Sequence, residues 1–323
     1  MNDANGLLFV YKFGWLRTCE LGKLLWPESP ASRQAADRVA RSWIQRQLVI
    51  ARSLPDGAGR ALVLAAAGVR LLAENGIEAG SGKDIGRFND HCWLPPATWR
   101  HDLIAHGVLC KLHHLGYRVY PEAELRRQAV THSKIPDGFA VKGNEGIHLE
   151  VEYSRKSGNE MRKLANSLSI AASGQSQAIV GVKPTAAMVA YLPSAMDERR
   201  YVLNHRMRVR NAIQVATAND LTIYWAKCTL LGNAGVGQVE FQKEVIGTDR
   251  VSRIKRIMEA TGWHHHSNGA LAATYGQHIG YVWHDEHGWS YAVETIDGQP
   301  IEANYASNLS EAKRSAASVL ARL

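Results

Sequence analysis

Cysteine and long apolar runs are both scarce in this chain, and each scarcity removes a class of protein. Four cysteines (Cys19, Cys92, Cys110, Cys228) are scattered over 323 residues without one CxxC pair. They form neither a disulfide framework nor the paired ligands of a structural zinc site, and read as thiols in a reducing compartment. No apolar stretch approaches the roughly 18 residues that span a bilayer. The start, MNDANGLLFVYKFGWLR, has no basic segment followed by a long apolar one. The expectation is a cytoplasmic protein with no membrane partner. Acidic residues are outnumbered, 30 Asp+Glu against 38 Lys+Arg, which gives a formal charge of +8 and a pI near 9.3. That excess favours a polyanionic partner such as nucleic acid. The length allows two or three domains with buried cores.

Residues 1–78 read as one unit. Leu21, Leu24 and Leu25 recur at helical spacing and stop before Pro27. A second helix, capped by Ser29 or Ser32, carries Ala36, Val39, Ala40, Trp43 and Ile44 on one face, with Arg33, Gln34, Arg38, Arg41 and Gln45 opposite. QLVIARS and ALVL read as short strands around the turn LPDGAGR, and AAGVRLLAEN as a helix closed by Gly76. Helix, helix, two-stranded wing, helix is the order of a winged helix-turn-helix, whose second motif helix enters the major groove. In that frame Arg33, Gln34, Arg38 and Arg41 reach bases or phosphates, and Arg60 beside the turn reaches a phosphate. The same arginines also suit the solvated face of a dimerisation module. Residues 79–90 are polar, Gly-rich and aperiodic, and read as a linker.

The central domain is expected over residues 91–246. TWRHDLIAHGVLCKLHHLGY is a helix with Leu103, Ile104, Val108, Leu112 and Leu115 along one stripe. YRVYPEAELRR follows as a short strand and turn. DGFAV and GIHLEVEYS are two strands joined by the tight turn KGNEG. Alternation puts Ile147, Leu149 and Val151 on one face of the second strand and His148, Glu150 and Glu152 on the other. Asp137, just before the partner strand, falls beside them in a twisted hairpin. Carboxylates so placed are the hard oxygen ligands that Mg²⁺ or Mn²⁺ prefers. A bound ion activates water and offsets charge on a scissile phosphate. The plainer alternative is an exposed hairpin that turns its acids to solvent.

AAMVAYLP, RRYVLNHRMRVRNAIQVA and LTIYWAKCTL continue as strand, basic helix and strand, with Arg199, Arg200, Arg206, Arg208 and Arg210 facing phosphate or solvent. Residues 247–323 read as a small β-β-β-α module: HIGYVWHD, GWSYAVET and QPIEANYA, then a C-terminal helix, preceded by a polar loop at His264–His266. The fold class is α/β, α+β overall.

PDG at Pro136–Gly138 followed by LEVE resembles the PD-(D/E)xK nuclease core. With HD at His101-Asp102, PEAELRR at Pro121–Arg127, EVE at Glu150–Glu152 and MRKL at Met161–Leu164, the chain resembles the replication-relaxation family and MobC-type relaxases. Those proteins pair a winged helix with a restriction-endonuclease-like domain. The resemblance implies a plasmid- or mobile-element-encoded protein that binds origin-type double-stranded DNA, its displaced single strand included. It would nick that DNA by metal-dependent hydrolysis beside other relaxosome or conjugation proteins. Asp137, Glu150 and Glu152 would hold Mg²⁺ or Mn²⁺. Glu152 stands where the motif has its lysine, so Lys163, ahead of Lys156, would steady the phosphate. His101, Asp102 and Glu122 would supply a further acid, ligand or base. The rival is a non-catalytic DNA-binding accessory protein or transcriptional regulator that keeps the fold.

Overall fold

The computed structural model describes residues 3–90, 92–128, 135–152, 158–192, 205–216, 221–230, 236–246, 262–265, 269–286 and 288–323. The chain is mixed α/β, with nine α-helices and four sheets among the described residues. It forms two compact units interleaved along the sequence. The first takes Met1–Val151, Gln177–Ala190 and Ala226–Phe241; the second takes Glu152–Ser176, Tyr191–Trp225 and Gln242–Leu323.

The first unit opens with α1 (Asp3–Phe13), β1 (Trp15–Leu16), α2 (Thr18–Leu25), α3 (Ser32–Gln45), β2 (Val49–Ser53), β3 (Arg60–Leu64) and α4 (Ala66–Glu74). Its strands form an antiparallel sheet in the order β1-β3-β2. On α1 the buried Leu7, Val10 and Phe13 recur every third residue, a helical stripe. The Trp43 indole N–H donates to Asp3 at 2.9 Å and ties α1 to α3. Neither Ser29 nor Ser32 caps α3: the position before it is Ala31, with no side-chain cap. Close packing orients this helix instead, since a Cβ at Gly22 of α2 would lie 2.7 Å from the Ser32 carbonyl oxygen.

Inside the stretch read as a linker, β4 (Arg87–Asn89) pairs with β5 (Cys92–Leu94). Gly82 N–H donates to the Leu64 carbonyl at 2.8 Å, and the Trp93 indole to that of Ile85 at 2.9 Å. Backbone pairing thus orders a segment that has no hydrophobic period.

A six-stranded sheet runs β11-β10-β9-β8-β7-β6. Its strands are β6 (Arg118–Pro121), β7 (Gly138–Lys142), β8 (Glu145–Glu152), β9 (Ala186–Tyr191), β10 (Leu221–Leu230) and β11 (Val236–Ile246). The β7–β8 hairpin pairs Gly138 with Leu149 and Phe139 with His148. Helix α5 (Trp99–His114) packs its Leu109 so close to Gly138 that a Cβ there would lie 3.0 Å away. The expected turn PEAELRR is instead a helix, α6 (Glu122–Arg127). Glu122 and Glu124 in its first turn and Arg126 and Arg127 in its last match the helix dipole, which favours so short a helix. The polar side of β8 is also buried rather than turned to solvent, and every residue of the strand from Gly146 to Glu152 is covered.

The second unit holds α7 (Gly158–Ala172), α8 (His205–Ala216) and a five-stranded sheet β12-β13-β14-β15-β16. To the three expected strands β14 (His278–Asp285), β15 (Gly288–Thr295) and β16 (Pro300–Ala306), the fold adds β13 (Leu271–Tyr275) and the two-residue β12 (His264–His265). A turn at Gly276, φ +62°, joins β13 to β14. The last helix, α9 (Leu309–Leu320), starts with a reciprocal cap. Asn308 accepts from the Glu311 N–H at 2.9 Å, and Glu311 accepts from the Ser307 N–H at 2.8 Å. Its Ala312, Ala316 and Val319 pack on Val282, Tyr291 and Val293 of the sheet. No described helix is long and apolar enough to cross a membrane.

Candidate nucleic-acid interface and acidic strand

Helix α3 turns Arg33, Asp37, Ala40, Arg41 and Ile44 into a cleft of about 730 Å³. Those positions recur at three- and four-residue steps, so they share one side of the helix. The turn between β2 and β3 forms the facing wall with Gly57, Ala58, Gly59 and Arg60, and Lys23 of α2 joins the rim. Three of the five residues assigned to DNA from the sequence, Arg33, Arg41 and Arg60, therefore converge. Gln34 and Arg38 are exposed on the same helix but lie outside the lining. Among the described residues, no carboxylate lies within salt-bridge distance of Lys23, Arg33, Arg41 or Arg60. Arg17, also in the lining, is different. It is buried against Glu20, with its Nε 2.8 Å from the carboxylate, and it donates to the Ala58 carbonyl at 3.0 Å. It braces the turn that carries Arg60. Burial works against the Glu20 charge, but Arg17 outweighs it and holds that carboxyl below its usual range. Lys23 and Arg17 were not singled out from the sequence. Lys23 lies on a helix too short to show a polar face, and Arg17 precedes it.

The acidic residues fall into two groups. At the start of β7, Asp137 accepts the Val151 N–H at 2.7 Å and lies 3.0 Å from His101 Nε2 of α5. On the other side of that ring Asp102 is 3.6 Å from Nδ1, and Thr98 donates to Asp102 at 3.3 Å. Burial disfavours charge on His101, yet the nearby carboxylates of Asp102 and Asp137 push its pKa up to about 10. Glu122 on α6 is held by Arg126 at 3.0 Å. Burial first, and the nearby Asp137 and Asp102 charges after it, raise its pKa. His101, Asp102, Glu122 and Asp137 thus form one neighbourhood.

On β8, Glu150 lies 2.8 Å from His148 Nε2, and the two residues are 2% and 5% exposed. Glu152, on the same strand face, is 1% exposed. Lys163 is exposed on α7 of the second unit. Lys156, Arg199, Arg200 and His266 lie outside the described residues. His148 was visible to alternation as the same-face neighbour of Glu150, and that spacing is the signal for the pair.

Carboxylates are the right donors for Mg²⁺ or Mn²⁺. Here Asp137 and Glu150 each face a histidine. No group of three or more His, Cys, Asp or Glu among the described residues is arranged to hold a metal ion.

These features define a mixed α/β protein with a cation-lined cleft on its N-terminal helices and a buried acidic strand in its large sheet. Comparison with protein-family models, curated proteins and solved structures finds no significant match.

Proposed function

We propose that the protein binds duplex DNA through residues 1–78 folded as a winged helix, with α3 in the major groove and the β2–β3 turn on the backbone. Residues 91–246 would then be the restriction-endonuclease-like partner domain of the relaxase-like DNA-processing proteins that its motifs resemble. The observation that carries this reading is the convergence of Lys23, Arg33, Arg41 and Arg60 on one cleft without carboxylate partners among the described residues. Cations left without carboxylate partners around one cleft are what a row of phosphates neutralises. Four such contacts predict a log–log salt slope of roughly −3 to −4. Fluorescence anisotropy on a labelled duplex, at about 50 to 250 mM salt, measures it. A slope near zero, or no binding, sinks the proposal.

On this reading Asp137 and Glu150 pair with His101 and His148 and brace the sheet rather than cut DNA, so the protein acts as an accessory or regulatory binder. A second reading, metal-dependent nicking, draws support from one observation. One residue back from the Gly138–Leu149 pair, Asp137 falls level with Glu150, and so two acids meet at one end of the hairpin. Supercoiled plasmid incubated with Mn²⁺ separates the two. Nicked circles made by the wild type and absent with Glu150→Gln favour nicking, and intact supercoils favour the binder.

A further inference from the structure

A second cavity, about 420 Å³, lies wholly within the second unit between α7 and α9, with α8, β15 and β16 forming its base. Its size falls within the roughly 300–1,000 Å³ typical of small-molecule sites. Polar side chains dominate the lining: Arg162 and Asn166 of α7, Asn211 of α8, Asn304 of β16, and Ser310 and Arg314 of α9. Met161 and the Tyr291 side chain supply apolar surface.

Two independent features point to what would fill it. Asn211 is 5% exposed and approaches Tyr291 and Glu302 closely enough to lower the pKa of both, yet among the described residues neither its Nδ2 nor its Oδ1 reaches hydrogen-bond geometry with a partner. A buried carboxamide in that condition is costly unless something enters to meet it. A carboxamide presents a donor and an acceptor side by side, the pattern that reads the N6/N7 edge of adenine. At the other end, the N-terminus of α9 brings its positive dipole end to the cavity. Arg314 stands one turn along, 3.5 Å from Ser310 Oγ, and Arg162 lines the α7 side. The carboxylate in the lining, Glu311, is turned to the Ser307 N–H and hydroxyl and completes the cap.

We infer that this cavity binds one nucleotide unit, its base read by Asn211 and its phosphate held at the start of α9 by Arg314 and Arg162. The inference is independent of the DNA reading of the first unit. The ligand is either a free mononucleotide or one residue of a single strand, because both offer a base edge and a phosphate.

Isothermal titration of the full-length protein tests it, with deoxyadenosine 5′-monophosphate, deoxyadenosine, inorganic phosphate and a short oligodeoxyadenylate as probes. The monophosphate or the oligonucleotide should bind saturably and more tightly than the nucleoside or phosphate alone. Arg314→Gln should weaken that binding at least about tenfold. Asn211→Leu should remove the preference for adenine over cytosine. Duplex affinity should be unchanged in both variants. A tighter oligonucleotide identifies the strand as the source, and a tighter monophosphate identifies the free nucleotide. Three results overturn the inference: no saturable binding, phosphate binding as tightly as the nucleotide, or full affinity in Arg314→Gln. The last needs only a folded rim variant, so the inference can fail even where Asn211→Leu does not fold.

Discussion

Two histidines five residues apart on α5 have pKa values pushed in opposite directions. Asp102 and Asp137 hold His101 charged up to about pH 10 despite its burial. Its folded pKa lies above the ordinary 6.5, so its contribution to stability is full below pH 6.5 and is lost as pH rises through about 10. His106 is stacked edge-on to Phe13 and Trp15, and burial pushes its pKa down to about 4. Its contribution is present above pH 6.5 and lost as pH falls through about 4. Urea midpoints followed from acid to alkaline pH should therefore decline at both ends. His101→Asn should flatten the alkaline decline and His106→Leu the acid one. Asp137→Asn removes the anion from His101 and weakens the bond from Val151, and should cost about 2–4 kcal/mol. A stability near wild type for that variant, or an alkaline limb untouched in both His101→Asn and Asp137→Asn, would contradict the pairing. The sequence displayed the His101-Asp102 pair side by side. It could not show that Asp137 completes it, because 36 residues separate the two and only the α5–β7 packing joins them.

Element by element, legibility followed periodicity. Helix α3 and the β7–β8 hairpin showed clear periods of 3.6 and 2, and both form where the pattern placed them. Helix α6 is too short to display a period, and so is the five-residue β13, LAATY, whose two alanines stand side by side. Helix α1 contains Asn5 and Gly6, poor helix formers, and is held by Trp43 and Arg46 reaching Asp3. The buried acidic face of β8 was illegible for another reason. Alternation distinguishes the two sides of a strand but not whether a further layer covers the polar one. Two predictions belong at this scale. Arg33→Ala, Arg41→Ala and Arg60→Ala should each reduce the salt slope of duplex binding by about one, while Arg38→Ala, off the cleft-lining stripe, should leave it. Equal effects from all four would place the contact elsewhere on α3. Gly22→Ala forces the α2–α3 crossing apart and should cost about 1–3 kcal/mol, with a loss of duplex affinity as α3 shifts. Unchanged urea and anisotropy midpoints would show that the crossing is slack.

Across the whole molecule, each compact unit is assembled from three separate stretches of chain. Pairing between distant segments leaves no local pattern, so a linear reading has no signal for it. A fragment ending at Val151 lacks β9, β10 and β11. It should show a broader and weaker urea transition than the full chain by far-ultraviolet circular dichroism, and a transition as sharp as the parent's would refute that dependence. The same arrangement has a consequence during synthesis. Between Val151 and Phe241 about 90 residues must leave the ribosome, which takes about 5–20 s at ordinary elongation rates. For the first part of that time β8 is a nascent open edge waiting for β9. Its own Glu150 and Glu152 are charged groups of the kind that discourage a passing strand from another chain. Whatever else the acids of β8 do once buried, on the emerging chain they stand guard against mispairing.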